Sequence, residues 1–354
     1  MIFLLKGKGI KYTYNYIYFS LFYGTKNPLL INILYWLTPY PFYIEVEVTT
    51  RCNLRCIVCE HAYWDEPNRD MSFDEFKQIV NQFPRLKWIG LTGIGESFIN
   101  KDFMNMLRHV KSRNIFVELY DSFYFIDEEA SREIIDLGVD RIFASIDAAT
   151  KETYEKIRVG SDFKKVIDNV RTLFKIRKEM RAHFPEIHFH YIVTKTNLEE
   201  VPRYIELVNF LSNGENTTIQ FTRILHGFRE VEDLFVEIPE GIMRLAKEKA
   251  QEFNIVVVWN ADVHQLKPPI TKCTEWTMPF IFVTWHVIPC CAGNEAGNRN
   301  FQRQTSLGNI YEQNFKEIWY GQRYKILRRM LRKGRVPSSC KNCCLYDIKL
   351  SQTI

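Results

Sequence analysis

The 354-residue sequence has no hydrophobic run long enough to cross a bilayer. Its most apolar stretch, residues 29–37, is shorter than the roughly 18 residues that a membrane-spanning helix requires, and it contains Asn32. The apolar start, residues 1–5, is also too short for the core of a secretory signal peptide. These absences argue against a helical membrane protein, and we expect a cytoplasmic protein.

Acidic residues are absent from the N-terminal segment, because the first one along the chain is Glu45. The residues before it include four lysines and thirteen aromatic residues, a combination typical of segments at a membrane surface. We expect residues 1–40 either to contact a membrane or cover an apolar, lipid-linked substrate, or to pack on the protein as an extension. The net charge of the whole chain is only +5, which gives no reason to expect a nucleic-acid partner.

Residues 41–230 alternate short β-rich runs with longer amphipathic stretches. The predicted strands cover residues 43–48, 87–91, 116–120, 141–146, 188–193 and 218–221. Helices with apolar residues at three- and four-residue steps are predicted between them, such as 73–83 and 163–177. Ser72 and Glu75 form a capping-box pattern at the start of the first. Repeated βα units predict a parallel sheet, so we expect an α/β protein with a partial (β/α)6 TIM-like barrel.

The alternation stops after about residue 230, where we place a domain boundary. A predicted helix (241–253) and strand (255–259), followed by Pro268 and Pro269, form a linker to a cysteine-rich region. The predicted organisation is an N-terminal extension (1–40), a barrel (41–230) and a small C-terminal auxiliary-cluster domain (231–354).

The nine cysteines form separated groups. In a reducing compartment such groups indicate metal sites rather than disulfides. Cys52, Cys56 and Cys59 directly follow the first predicted strand, with the spacing Cys-x3-Cys-x2-Cys. A loop of this length can place three thiolates around a [4Fe-4S] cluster and leave its fourth iron without a protein ligand. A zinc site, or three cysteines packed together without a metal, are the alternatives.

The sequence around these cysteines resembles the radical S-adenosylmethionine (SAM) superfamily, in the branch with a C-terminal auxiliary-cluster domain of the SPASM or twitch type. The resemblance covers about residues 42–350 and rests on Cys-Asn-Leu-Arg-Cys-Ile-Val-Cys at 52–59, Gly-Ile-Gly-Glu at 93–96 and Ser-Ile-Asp at 145–147. It implies a [4Fe-4S] cluster with SAM on its open iron. The implied reaction is reductive cleavage of SAM to a 5'-deoxyadenosyl radical, which abstracts hydrogen from a substrate.

Within this resemblance, Gly93, Gly95 and Glu96 match the family segment that contacts the SAM amino group. Glycine permits close backbone approach, and a carboxylate complements an ammonium group. Two places depart from the family pattern. Val58 stands where an aromatic residue is common, and Tyr-Asp-Ser at 120–122 stands where relatives often have Thr-Asn-Gly, so the contacts of residues 120–122 are left open.

Ser145 and Asp147 end the fourth predicted strand, and Arg158 follows on the next helix in a Tyr-x3-Arg pattern. The resemblance implies that these residues bind the ribose hydroxyls and the carboxylate of SAM. Arg158 suits the carboxylate best, because a guanidinium group matches it with two hydrogen bonds. A solvent-exposed helix arginine is the alternative.

Six further cysteines follow the barrel in a region similar to the SPASM and twitch pattern. By that similarity, four of them would bind one auxiliary [4Fe-4S] cluster: Cys273, Cys290, Cys340 and Cys343. Cys291 is an alternative to Cys290, and a four-cysteine zinc site is an alternative to the cluster. A spare thiol, Cys291 or Cys344, is either a hydrogen donor to a substrate radical or an ordinary packed side chain.

The sequence does not identify the substrate. A small molecule, or a sugar- or lipid-linked precursor, is favoured, because no peptide-recognition module of the usual size precedes the barrel. A peptide-modifying enzyme and a non-catalytic iron-sulfur carrier or scaffold are the alternatives. The reaction requires an electron donor such as flavodoxin or ferredoxin. A basic run without an acid, residues 323–335, is either a solvated helix face or a dock for an acidic donor or a phosphorylated substrate.

Overall fold

Seven consecutive parallel strands, separated by helices, form the main sheet of the computed structural model, which describes residues 27–64, 66–224, 229–259, 273–295, 299–341 and 343. These strands are β1 (Tyr43–Val46), β2 (Trp88–Leu91), β3 (Phe116–Asp121), β4 (Arg141–Ser145), β5 (Glu186–Val193), β6 (Thr218–Arg223) and β7 (Val256–Trp259). The six strands predicted between residues 43 and 221 are all present, and the α/β barrel class is confirmed.

Helices connect the strands as repeated βα units require. Within the described ranges, one helix precedes the sheet, α1 (Pro28–Leu37), and seven lie between the strands: α2 (Phe73–Val80), α3 (Phe103–Ser112), α4 (Glu128–Asp136), α5 (Lys151–Ile157), α6 (Phe163–Glu179), α7 (Val201–Leu211) and α8 (Glu240–Glu252). The predicted capping box is present, because Ser72 Oγ accepts from the Glu75 N–H and the Glu75 carboxylate accepts from the Ser72 N–H.

The two faces of the sheet differ in polarity. In β5, Ile187, Phe189 and Tyr191 are buried and belong to the same hydrophobic core as the helices, whereas His188 and His190 point the other way and are half-buried. Because side chains alternate along a strand, the face opposite the helices is the concave inside of the barrel. That inside is polar.

The βα alternation runs one unit further than the sequence analysis predicts. β7 pairs in parallel with β6, with Val257 opposite Ile219, so residues 240–259 extend the sheet rather than form a linker. The helix and the strand themselves were predicted, but their place in the sheet was not, because β7 is a short edge strand in which Val256 and Val258 are exposed. The division of the chain into domains near residue 230 stays a prediction.

The C-terminal region joins the same sheet. Three short strands continue it beyond β1: β8 (Phe280–Ile281), parallel to β1, then β9 (His286–Ile288) and β10 (Gly308–Asn309), both antiparallel to their neighbours. The helices of this region are α9 (Cys291–Glu295), α10 (Arg299–Gln304), α11 (Phe315–Tyr320) and α12 (Gln322–Arg332).

Helix α1 packs against this C-terminal region through Tyr35. The Tyr35 ring stacks on Trp276, and its hydroxyl donates to the Cys273 carbonyl at 3.0 Å. Most of the N-terminal extension, residues 1–26, lies outside the described residues. None of the helices in the described ranges is both long and apolar enough to span a membrane.

Candidate functional site

The first three cysteines lie in the loop after β1, at the carboxyl edge of the sheet where barrel enzymes build their sites. Two backbone hydrogen bonds hold this loop against the segment that ends α5. The Arg55 N–H donates to the Val159 carbonyl at 2.8 Å, and the Ile57 N–H donates to the Ile157 carbonyl at 2.9 Å. The cysteine loop therefore has a defined position beside Arg158.

The structure brings the Cys52, Cys56 and Cys59 thiols close enough to interact electrostatically. Burial raises the pKa of Cys52 to about 12, with a smaller contribution from Glu96, and burial raises the pKa of Cys59 well above its usual range. A bound metal stabilises such thiolates with positive charge beyond what Arg158 provides. No group of three His, Cys, Asp or Glu in the described ranges is arranged around a single ion. In a [4Fe-4S] cluster each thiolate binds a different iron.

The glycine-containing segment after β2, residues 93–96, packs against the chain between β1 and the cysteine loop. A Cβ at Gly93 would lie 2.4 Å from Glu47 Cγ, and a Cβ at Gly95 would lie 2.3 Å from the Thr49 carbonyl oxygen. Glycine is therefore required at both positions. The close approach expected from the sequence is present, but it is an approach to the protein's own chain. A contact of Gly93 or Gly95 with SAM stays a prediction.

Glu96 forms a buried carboxyl pair with Asp121, which the sequence analysis left without a role. Its Oε2 accepts from the Ser122 N–H at 3.3 Å, and Asp121 Oδ1 accepts from the Phe123 N–H at 2.6 Å. Burial raises the pKa of Asp121 well above its usual range, and the Glu96 carboxylate beside it raises this pKa further. Asp121 therefore favours its protonated form more strongly than an exposed aspartate does.

Asp147 and Arg158 form a buried salt bridge of 2.6 Å. Asp147 also accepts from the Ile192 N–H at 2.8 Å. Burial by itself lowers the pKa of Arg158, but the Asp147 carboxylate and then Cys56 more than offset this, and the pKa is raised. Arg158 is thus a buried cation at the cysteine loop, not an exposed helix arginine. Ser145 ends β4 opposite His190, and a contact of Ser145, Asp147 or Arg158 with SAM stays a prediction.

The sequence analysis missed a group of polar and aromatic side chains on the concave face of β3 to β6. We call these the lumen residues: Tyr120, Phe143, His190, Gln220 and Thr222. His190 Nε2 lies 2.8 Å from Thr222 Oγ1, the Tyr120 hydroxyl donates to Gln220 at 3.3 Å, and Tyr120 stacks on Phe143 with ring centroids 4.4 Å apart. Burial lowers the pKa of His190 to about 4, so its imidazole is neutral at pH 7. Polar residues at alternate strand positions were the available signal.

The four cysteines predicted to bind an auxiliary cluster also come together. Cys290 interacts electrostatically with Cys273, Cys340 and Cys343, and Cys273 interacts with the other two. Burial raises the pKa of Cys340 to about 12. Cys291 interacts with Tyr120 of the lumen, whereas Cys344 lies outside the described residues. The ligand set and any hydrogen-donor role of Cys291 or Cys344 stay predictions.

Two buried hydrogen-bond donors near these cysteines, Trp276 Nε1 and Tyr324 Oη, have no partner within the described part of the chain. Tyr324 interacts electrostatically with Cys290, and Trp276 follows Cys273 by three residues. The thiolates and sulfides of an iron-sulfur cluster accept hydrogen bonds of this kind. The surroundings of the four cysteines therefore fit an iron-sulfur cluster.

The basic run divides into two groups. Arg328 is buried, donates to the Trp319 carbonyl at 2.8 Å and lies over the rings of Trp276 and Trp319. The other basic residues of the run are exposed: Arg323, Lys325, Arg329, Arg332, Lys333 and Arg335. The basic side chains of the run are therefore exposed to solvent except Arg328, which packs on the rings of Trp276 and Trp319.

Comparisons with known proteins identify two domains in the chain. Residues 46–208 match the radical SAM superfamily, and residues 273–344 match SPASM, an iron-sulfur cluster-binding domain. The chain is 27% identical to the tungsten-containing aldehyde ferredoxin oxidoreductase cofactor-modifying protein of Pyrococcus furiosus, covering 86% of this chain and 88% of that protein. It is 25% identical to the AdoMet-dependent heme synthase of Methanosarcina barkeri, covering 87% and 88%. A GTP 3',8-cyclase of Limosilactobacillus fermentum is 23% identical, covering 60% and 63%.

Solved structures share the fold. Streptococcus suis SuiB bound to S-adenosylmethionine has a TM-score of 0.63 at 13% identity, covering 88% of this chain and 72% of SuiB. Native anSMEcpe with bound AdoMet has a TM-score of 0.62 at 16% identity, covering 88% and 95%. The fold and the site together define a radical SAM enzyme. The chain belongs to the radical SAM superfamily and carries a SPASM domain, so its cofactors are a [4Fe-4S] cluster, SAM and auxiliary iron-sulfur clusters.

The Asp121 and Glu96 pair predicts a pH-dependent stability difference. Well below pH 4 Asp121 is protonated in both the folded and the unfolded chain. As the pH rises, the unfolded chain loses this proton first, because the pKa of Asp121 is raised in the folded state, so folding loses stability. Asp121→Asn removes this loss and keeps a polar side chain of similar size. We expect the variant to gain stability relative to wild type as the pH rises from 4 to 8, measured by urea unfolding.

Asp136→Asn is the control for this measurement. Asp136 is exposed on α4, so its replacement should leave the pH profile parallel to that of wild type. A stability difference between Asp121→Asn and wild type that stays constant from pH 4 to 8 would contradict the raised pKa.

The two groups of cysteines predict separable iron sites. After anaerobic reconstitution, a variant with Ala at Cys52, Cys56 and Cys59 should retain about four irons and matching sulfide. In that background Cys290→Ala should lose this iron, whereas Cys291→Ala should keep it. Zinc without sulfide in the triple variant would contradict the auxiliary cluster, and loss of iron only on replacing Cys291 would contradict Cys290 as a ligand.

Proposed function

We propose that the protein abstracts hydrogen from a polar small molecule, a cofactor or cofactor precursor, bound by the lumen residues. One observation supports this most directly: His190 of the lumen interacts electrostatically with Asp147 and Arg158 beside the cysteine loop. A molecule that contacts the lumen residues would therefore lie next to the SAM site. Proximity of this kind lets an enzyme select one carbon for hydrogen abstraction.

The chemistry of the lumen favours a polar substrate over a lipid chain. His190, Thr222 and Gln220 present hydrogen-bonding groups, and the stacked rings of Tyr120 and Phe143 present an aromatic surface beside them. An alkyl chain in this space would remove these groups from water without offering new hydrogen bonds, which is costly. A planar molecule with polar edges can use both the rings and the polar groups.

A deeper ionic group closes the lumen below these residues. Arg141 at the start of β4 lies between Glu118 and Glu186, with nitrogen-to-oxygen distances of 3.2 and 2.8 Å. Its guanidinium group also lies over the ring of Phe116. Because Arg141 already pairs with both carboxylates, we assign this group to the floor of the barrel and not to the substrate.

The names of the relatives agree with this substrate class. The two relatives that span most of this chain are named for modifying the cofactor of a tungsten enzyme and for making heme. Both names refer to the modification or synthesis of a cofactor. We infer the same class of substrate here.

In this proposal each SAM-binding role is assigned by charge. Glu96 accepts hydrogen bonds from the ammonium group of SAM, and the raised pKa of Asp121 next to it reduces the repulsion between the two buried carboxyl groups. Arg158 binds the SAM carboxylate, while Asp147 orients the guanidinium group by the salt bridge. Ser145, with Asp147, is assigned to the ribose hydroxyls. When bound, the [4Fe-4S] cluster of Cys52, Cys56 and Cys59 and its SAM supply the hydrogen-abstracting radical chemistry.

We also propose that an acidic electron donor, of the flavodoxin or ferredoxin type, docks on the exposed basic face of α12. Arg329, Arg332 and Lys333 lie on the solvent side of this helix, and the helix packs against the aromatic residues beside Cys273. Complementary charge speeds the encounter of electron-transfer partners and makes it sensitive to salt.

The outer face of α1 supports a peripheral membrane contact. Its Leu29, Ile33, Trp36 and Leu37 side chains are exposed, whereas the inner face of the helix is buried. An exposed apolar helix face next to a lysine-rich, acid-free segment suits an anionic bilayer surface.

The substrate proposal predicts which compounds stimulate SAM cleavage. Reconstituted protein with dithionite and SAM is assayed for 5'-deoxyadenosine, alone and with a porphyrin, GTP, a short peptide or a fatty acid. We expect a porphyrin or GTP to raise the rate, and Gln220→Leu to reduce that increase about tenfold because a buried polar contact is lost. Gln251→Leu, on the exposed end of α8, is the matched control.

Stimulation by the peptide or the fatty acid alone would contradict a polar cofactor-like substrate. Reduced clusters without any SAM cleavage would favour a non-catalytic carrier or scaffold.

The membrane proposal predicts co-sedimentation of the full-length protein with vesicles that contain anionic phospholipid. Replacing Leu29 and Trp36 by Glu should abolish it, because charge on the exposed face of α1 opposes burial in the lipid. Tyr311→Glu, at an exposed aromatic residue away from α1, is the control and should still sediment. Wild-type protein that stays in the supernatant would rule out the contact.

A further inference from the structure

Glu47 is a fully buried carboxylate at the junction of three segments. It follows β1 directly and precedes the cysteine loop, and it is 1% exposed. Its Oε1 accepts from the Ile94 N–H at 3.3 Å, inside the glycine-containing segment 93–96. Its Oε2 accepts from the Val283 N–H at 3.2 Å, just after β8. One side chain therefore joins β1, the predicted SAM-binding segment and the SPASM domain.

Arg299, the first residue of α10 in the SPASM domain, supplies the counter-charge. Its guanidinium group forms a salt bridge with Glu47 Oε1, and the Arg299 side chain is 7% exposed. Arg299 is itself held by Gln302 Oε1 at 3.2 Å and lies 4.3 Å from the ring centroid of Phe282. Because both charges are buried, each depends on the other for compensation.

The glycine at position 93 is adapted to this junction. A Cβ there would lie 2.4 Å from Glu47 Cγ and 2.8 Å from its Oε1, so no other residue permits the carboxylate to reach the Ile94 N–H. Ile94 is two residues before Glu96. A displacement of Glu47 would therefore move the backbone that presents the Glu96 carboxylate.

We propose that Glu47 is a positioning residue through which Arg299 of the SPASM domain holds the SAM-binding segment in place. This inference depends on the role of Glu96 in binding SAM that is part of the proposed function. The chain of contacts runs from Arg299 to Glu47, to the Ile94 N–H and on to Glu96. Docking of the SPASM domain thereby sets the affinity of the barrel for SAM.

A second ion pair between the same two regions provides a matched control. Arg303, on the next turn of α10, forms a salt bridge with Glu66 after the cysteine loop. This pair also ties α10 to the barrel, but Glu66 makes no described hydrogen bond to residues 93–96. Loss of the Arg303 pair weakens domain docking without removing the support of the Ile94 N–H.

The test compares SAM dissociation constants in reconstituted full-length protein, measured by equilibrium dialysis, with iron content as a check on folding. We expect Glu47→Gln and Arg299→Gln each to weaken SAM binding about tenfold, and the double variant to be no weaker than either single variant, because both changes break one connection. Arg303→Gln should bind SAM as wild type does. Glu47→Asp keeps the charge opposite Arg299 but retracts the carboxylate from Ile94, and it should also bind SAM weakly.

Several outcomes would overturn this role. Unchanged SAM affinity in Glu47→Asp and Arg299→Gln would exclude the positioning role of Glu47. Equal weakening of SAM binding by Arg303→Gln would show that Glu47 only helps to attach the SPASM domain to the barrel. Glu96→Gln separates the two proposals. If Glu96→Gln binds SAM normally, the assigned role of the segment 93–96 fails. If Glu96→Gln binds weakly while the Glu47 and Arg299 variants bind normally, only the positioning role fails.

Discussion

The pairing of β8 with β1 is the contact on which the rest of the site depends. The Glu45 N–H donates to the Pro279 carbonyl at 3.0 Å and the Glu47 N–H donates to the Ile281 carbonyl at 2.9 Å, so the SPASM domain continues the barrel sheet. Because β1 leads directly into the cysteine loop, this pairing fixes the auxiliary cysteines relative to the SAM site. Cys291 can lie near the lumen residue Tyr120 only because the two parts of the chain share one sheet.

Buried charges organise the site around this sheet. Asp147 with Arg158, and Glu47 with Arg299, are salt bridges between segments that follow different strands or belong to different domains. The Glu96 carboxylate lies beside Asp121 and raises its pKa. In a low-dielectric interior an unpaired charge is strongly destabilising, so each pair links the folding of one loop to the position of another. The same low dielectric strengthens the electrostatic contacts that would orient SAM.

The lumen lies between the two cysteine groups and differs from the rest of the core in its polarity. His190, Thr222 and Gln220 place polar side chains inside the barrel. The helix-facing side of β1 and β2, in contrast, carries buried aliphatic side chains. Polar groups in such a place reduce the apolar surface available for burial, which is typical of a site kept for function rather than stability. Their position at the carboxyl half of the strands is where barrel folds bind their substrates.

Local patterns in the sequence were sufficient for much of the protein. The spacing of Cys52, Cys56 and Cys59, the capping box at Ser72 and the six barrel strands are set by neighbouring residues, because loop length, helix capping and side-chain alternation are local properties. These patterns determined the superfamily, its cofactors and the type of fold. They located β7 but not its pairing with β6, because strand pairing is a contact between segments distant in sequence.

Tertiary structure alone decided which charged groups meet. Arg158 pairs with Asp147, Glu96 meets Asp121, and Glu47 meets Arg299 across 252 positions of sequence. No spacing rule predicts such pairs, because the partners come together only when parallel strands align their carboxyl ends and β8 adds to β1. The cofactors could therefore be predicted from the sequence itself. The buried ion pairs that hold the predicted binding residues in position arise only from contacts between segments that are distant in sequence and close in space.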